Sequence, residues 1–314
     1  MTKAPWVADR QAARLPGPYC HGVLTLPPAL HARVLVHKRP RLPRLLQAAS
    51  QTLRQCGRQN LGGQRGGIHV LQTWEQTLGA HVPVHCLVPG GARGEHGTRG
   101  VPTPPRCFFP VHALSTGFRG TCLDALHSRT TMGPVVVPEA TEPRATPEGF
   151  RRCIAQLSTK AWIVSAKQSM GGPGPVLDSR NRYPHRVALA THRLVDVQDG
   201  PVRFPSRHQR QGHRVQTRTR EAHACIRRLL WPGVPQRLPR MRPMGCLANR
   251  CQARALRQGH QLRNQPPDPP ARPVKRVAEW LWQWTGTDST RGPACGQEPL
   301  LPRHPSLPPM WDAS

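Results

Sequence analysis

Two stretches of this 314-residue chain carry the side chains best suited to chemistry. The first is HVPVHCLVPGG, residues 81–91, where His81 and His85 place imidazole nitrogens in an apolar, β-branched run. Residues two apart on a strand share a face and lie about 6.6 Å apart, so a His-x-His pair can converge on one metal ion. His81 and His85 also share a face, yet four residues of regular strand hold them about 13 Å apart, too far for one ion unless Pro83 kinks the strand. Without such a kink they are simply histidines near a strand, and Cys86, pointing the other way, belongs to a core. The second stretch is RNRYPHRV, residues 180–187, in which the phenol of Tyr183 stands beside Arg182, His185 and Arg186. Such neighbouring cations can hold a phosphate by charge-assisted hydrogen bonds. Solvated surface charge accounts for His185 and Arg186 equally well. The chain has two tyrosines, and the other is Tyr19.

Other motifs point to ordinary structure. The ten cysteines form no CxxC pair, which excludes an intact zinc ribbon or dithiol redox motif and leaves isolated reduced thiols. Cys246 and Cys251, in CLANRC, are spaced more widely than a zinc-ribbon pair. Glycine pairs at 62–63, 66–67, 90–91 and 171–172 lack the GxxxxGK[ST] order of a phosphate loop and read as turns. The tryptophans of EWLWQWTG, Trp280, Trp282 and Trp284, could stack on bases, but a spacing of two equally describes an amphipathic strand.

The balance of 45 Lys and Arg against 16 Asp and Glu gives a formal charge of +29, which suits a polyanionic partner, nucleic acid first, over an acidic small molecule. A GC-rich coding sequence enriches arginine, proline and glycine in the same direction. With 5% aromatic residues, 37 prolines and 28 glycines, apolar segments are short and often interrupted. No apolar run approaches the roughly 20 residues of a membrane span, and the opening MTKAPWVADRQ has no signal-peptide core. These features predict a cytoplasmic protein.

The elements that must position the two stretches follow from periodicity. YCHGVLTL, residues 19–26, is an apolar run closed by Pro27 and Pro28 and predicts a buried strand. Leu42, Leu45, Leu46, Ala49 and Leu53 recur at helical spacing. Residues 68–74 and 82–88 predict two strands with a turn at Gly90–Gly91, and 118–127 a helix. Beyond a proline-rich linker at 133–147, AWIVSAK predicts a strand, and the segment from His185 predicts a strand, a turn at Asp199–Gly200 and a returning strand. EAHACIRRLL, residues 221–230, predicts a helix, and QPPDPPARP a second linker. No internal repeat is present. Strands and helices mixed with hairpin turns predict an α+β fold rather than a doubly wound sheet.

Several stretches, in one order, carry a family resemblance: ADRQAARLPGPYCHGVLTLP, VLQTWEQTLGAHVPVHCLVPGG, FFPVHALSTGFRG, KQSMGGPGPVL, RYPHRVALATHRL and MRPMGCLANRCQARAL, with an echo in TGTDSTRGPACGQ. Together they resemble the rolling-circle transposases of bacterial insertion sequences, the insertion-sequence ninety-one type of HUH tyrosine transposase. The resemblance implies an antiparallel-sheet HUH-nuclease-like core with flanking helices, followed by a basic helical and proline-rich C-terminal region. It implies five segments: 1–18 after a zinc-binding module, 19–132 and 148–262 as two parts of the core, 133–147 as linker and 263–314 as a proline-rich tail.

It further implies a bacterial, DNA-associated protein that cleaves and joins single-stranded DNA at insertion-sequence ends. Tyr183 would be the nucleophile, a divalent cation (Mg or Mn) would sit on the histidine pair, and Arg182, His185 and Arg186 would contact DNA. The family's His-hydrophobic-His positions fall on Pro83 and His85, so one ligand is replaced, with His81 as a substitute. The first of two tyrosines falls on Ser179, and Pro184 disfavours helix at Tyr183. The leading zinc module is expected to be lost, and Gly292 stands where a partner for Cys295 would be. These changes together describe a truncated, degenerate copy with impaired activity; the alternative is an inactive, basic DNA-binding remnant.

Overall fold

In the computed structural model the described residues are 18–94, 99–103, 109–127, 147–169, 189, 193–197, 200–208 and 214–261. They all lie within one compact unit, Ala13–Asp268. Ten strands and six helices occur among them, in a mixed α+β arrangement whose strand pairs are antiparallel.

The first strand, β1 (Tyr19–Thr25), has the apolar alternation expected of it. After Pro27, helix α1 (Pro28–Val36) starts with proline in its first turn, where the missing N–H costs nothing. Helix α2 (Lys38–Leu61) is longer than the sequence pattern suggests and accommodates Pro43 near its start. All five residues of the periodic stripe, Leu42, Leu45, Leu46, Ala49 and Leu53, are buried. Gly62 ends the helix in the left-handed region (φ 56°), and its N–H is donated to the Arg58 carbonyl.

Strands β2 (Gly63–Gln64), β3 (Gly66–Leu71), β4 (Pro83–Pro89), β5 (Gly91–Gly94) and β6 (Gly100–Pro102) follow, then helices α3 (Val111–His127) and α4 (Pro147–Thr159). The remaining elements are β7 (Val164–Ser169), β8 (Pro201–His208), β9 (Arg214–Glu221), α5 (Ala222–Leu230), β10 (Met241–Gly245) and α6 (Gln252–Gln261). The main sheet has the order β10-β3-β4-β1-β7, so β4 and β1 are central. Strands β2, β5 and β6 form a second sheet, and β8 and β9 a two-stranded ribbon.

One face of the main sheet is covered by helices. Cys20 and Leu24 of β1 and Val84, Cys86 and Val88 of β4 join Leu42, Leu46 and Leu53 of α2 and Leu114 and Phe118 of α3 in a single apolar cluster. Burial pushes the Cys20 thiol up to about 12 and raises Cys86 and Cys122 as well, so these cysteines act as small apolar residues. No helix among the described residues is long and apolar enough to cross a membrane.

Local departures from the sequence pattern have physical reasons. The strand expected at 68–74 stops at Leu71, and Trp74 instead bridges Ala80 in the loop before β4. At Gly90–Gly91 the chain passes from one sheet into the other rather than doubling back, because β5 pairs with β2 and β6. The returning strand after Gly200 is β8; Asp196 bridges Arg203 across that turn, but the main partner of β8 is β9. Strand β9, RVQTRTRE, has no apolar alternation to announce it, and backbone pairing with β8 makes it a strand. Gly66 reads as packing rather than turn: a Cβ there would come within 2.6 Å of Cys246 Sγ and 2.7 Å of the Leu247 nitrogen.

Candidate functional site

The second face of the main sheet carries His21 and His85. Register pairs Val23 of β1 with His85 of β4 and His21 with Leu87, so His21 and His85 are diagonal neighbours on one face. Their rings lie nearly parallel, 16° apart with centroids at 5.4 Å, and His21 Nε2 is 3.2 Å from His85 Nδ1. His85 is 8% exposed and His21 is half-buried.

A chain of hydrogen bonds sets the tautomer of His85. Gln72, just past the end of β3, donates its amide N–H to the Trp74 carbonyl at 2.6 Å, which turns Oε1 toward His85. His85 Nε2 lies 3.1 Å from that oxygen and donates to it, because an amide oxygen can only accept. His85 Nδ1 therefore bears a lone pair directed at His21 Nε2. This is the arrangement in which a ligating histidine is held by a partner behind it.

Two nitrogens each about 2.1 Å from a shared ion lie roughly 3.0–3.4 Å apart for bond angles of 90–110°. The 3.2 Å separation of His21 Nε2 and His85 Nδ1 is that of their hydrogen bond and also falls in that range, so the distance admits one divalent cation once His21 moves its proton to Nδ1 and both lone pairs turn onto the ion. Imidazole nitrogens suit a borderline ion better than Mg²⁺. No cluster of three or more His, Cys, Asp or Glu able to hold a metal occurs among the described residues.

Lys167 of β7 pairs with His21 in register, shares its face and is exposed, placing an ammonium where an anion approaching His21 would be met. Tyr19 lies on the same face two residues before His21, buried with Leu87 and beside Ile68. Pro83, also on this face, opens β4 opposite Thr25, and Thr25 donates its N–H to the Ile163 carbonyl at 3.0 Å. A proline at the first position of a central strand is thus accommodated.

The structure places His81 ahead of β4, its ring edge-on to His31 at 5.8 Å. His31 donates to the Leu26 carbonyl at 2.8 Å. Burial lowers the pKa of both rings, and Glu75 partly offsets this. The ring that meets His85 belongs to His21. Tyr183, Ser179, Pro184, Arg182, His185 and Arg186 lie outside the described residues, as do Gly292 and Cys295. Sequence reasoning missed His21 and Gln72. The one signal for His21 was its alternate position in YCHGV, which does not say which strand it faces.

Residues 66–254 match the family described as "Putative transposase". The chain belongs to that transposase family. The matched segment runs from β3 to α6 and contains Pro83, His85 and Tyr183, whereas His21 precedes it. This transposase-family chain is also 34% identical over 305 residues to "Putative transposase y4qJ" of Sinorhizobium fredii (strain NBRC 101917 / NGR234), an alignment covering 96% of the chain and 77% of that relative. No solved structure matches it.

Proposed function

We propose that this transposase-family protein acts on DNA by cleaving and rejoining single strands at the ends of an insertion sequence, with an HUH-nuclease-like use of its central sheet. The observation that carries the reading is the pairing of His21 and His85 at 3.2 Å on the face of β1 and β4 opposite the helices, with Gln72 fixing the His85 tautomer. A divalent cation bound by His21 and His85 would supply Lewis-acid polarisation of the scissile phosphate. The reading uses His21 in place of His81, whose ring rests on His31.

The chain's own groups then divide the work. Gln72 keeps the His85 lone pair aimed at the site, and Lys167 offsets the charge of the phosphate. The Tyr183 oxygen attacks phosphorus, forming a 5'-phosphotyrosine ester as the bond to the 3'-oxygen breaks. The tyrosine proton passes to solvent and the departing oxygen takes up a proton to become a 3'-hydroxyl. The ester conserves the bond energy, so rejoining is the reverse attack and needs no nucleotide. Arg182, His185 and Arg186 would hold neighbouring phosphates.

Pro83 in the place of a ligand and Ser179 in the place of a second tyrosine mean weak activity in this copy. A second reading, an inactive DNA-binding remnant, is favoured by the lack of a third ligand among the described residues. The two are separated by incubating the protein with labelled single-stranded DNA from the element's end, with and without Mn²⁺, and resolving covalent adducts on a denaturing gel. An Mn²⁺-dependent adduct that disappears in Tyr183→Phe and in His85→Ala is expected. Folded protein that binds the strand but forms no adduct establishes the remnant.

A further inference from the structure

The helical layer on the far side of the sheet from His21 and His85 contains a cavity of about 220 Å³. Its apolar wall comes from Leu26, Val34 and Leu45, and two cations, Arg41 and Arg44, line it together with the imidazole of His37. No carboxylate among the described residues lines it. For scale, a cavity of roughly 150 Å³ accepts a benzene ring. The volume therefore suits one aromatic base, and the rim suits an anion joined to it.

The surroundings sharpen this charge imbalance. Arg33 of α1 is buried, with its guanidinium 4.0 Å over the Phe150 ring, and adds a further positive charge. Burial and then the like charges of Arg33 and Arg44 lower the pKa of Arg41, while burial and then Arg41 and Arg33 lower that of His37. Like charges held together in partly desolvated positions are relieved by a bound anion. The junction HKRPRLPR, residues 37–44, thus concentrates charge at the start of α2. On its other side a wider depression of about 630 Å³ is lined by Lys38, Arg39 and Trp231. A strand leaving the first cavity would find there two more cations and an indole on which a base can stack.

We propose that this cavity takes one unstacked nucleotide of single-stranded DNA, with the base against Leu26, Val34 and Leu45 and its phosphate on Arg41 and Arg44. The site is a strand anchor separate from the reacting face. It rests on the reading of this protein as one that handles single-stranded DNA. A duplex keeps its bases paired and cannot fill the cavity, so the anchor favours the single strand.

The test is fluorescence anisotropy of a labelled single-stranded oligonucleotide across a salt series, with thermal melts confirming that each variant is folded. The double substitution Arg41→Ala with Arg44→Ala is expected to weaken binding about tenfold and to reduce the log–log salt slope by roughly 0.7, for the one phosphate that the two arginines hold. Ala125→Phe, which fills the cavity without changing charge, should weaken binding and leave the slope unchanged. Arg54→Ala, an exposed cation on the same helix, should change affinity less than about twofold. The anchor is overturned if Ala125→Phe binds as the parent does, if Arg54→Ala loses as much as the double variant, or if a duplex shows the same sensitivity to Ala125→Phe. Those outcomes leave the DNA reading standing; a parent protein that binds no oligonucleotide overturns both.

Discussion

Acid should unfold this protein through a histidine that has no part in the proposed chemistry. His69 of β3 lies on the helix-covered face of the sheet, opposite Cys86, and is fully buried. Its Nδ1 is 3.3 Å from Ser50 Oγ, and burial pushes its pKa down to about 4. In the unfolded chain the same ring titrates near 6.5. Between these values the unfolded state binds a proton that the folded state refuses. Stability is therefore complete above about pH 6.5 and falls as pH drops toward 4. A shift of about 2.5 units at about 1.4 kcal/mol each makes the loss roughly 3 kcal/mol, a large share of the ~5–15 kcal/mol that holds a domain together.

The perturbation is His69→Phe, which removes the titrating group and keeps an aromatic ring in the core. Ser50 loses little, since its hydroxyl already donates to the Leu46 carbonyl at 3.0 Å. The assay is the urea midpoint measured from pH 8 to pH 4 for parent and variant. The parent should lose stability steeply below pH 6.5, and the variant should retain the shallower loss from His31, His37 and His81, whose pKa values burial also lowers. Identical slopes in parent and variant over that range would refute the reasoning.

Three further outcomes test the site and its scaffold. Gln72→Leu should weaken Mn²⁺ binding by about 10–100-fold, because His85 loses the partner that fixes its tautomer, and calorimetric titration reads this directly. Pro83→His should tighten Mn²⁺ binding by adding an imidazole on the His85 face; the same titration with no gain over the parent would show that this position does not reach the ion. Gly66→Ala should lower the thermal midpoint, with a cost of about 1–3 kcal/mol from overpacking against Cys246 and Leu247, whereas an unchanged melt would mean that β10 can shift aside freely.

Much of the scaffold could be read from residue order alone, because apolar spacing reports which face of an element is buried. The stripe of α2 follows a 3.6-residue period, and all of its members reached the core. The inward direction of Cys86 follows from strand alternation. Boundaries were less legible: α2 begins at Lys38 and runs through Pro43, since packing on the sheet outweighs one missing backbone donor. Strand β9 carried no periodic signal at all, because its exposed ribbon face does not demand apolar residues.

Family membership and the strong positive charge are properties of the sequence itself, written in residue order and counts that folding does not alter. The strand that carries His85 was legible for the same reason. Which imidazole meets His85 was not. His81 is its neighbour along the chain, but His21 is the one that faces it, 64 residues away and 3.2 Å distant. That choice depends on the register of β1 against β4 and on the loop that turns His81 toward His31. Both are set by long-range backbone pairing and core packing, which no local spacing encodes.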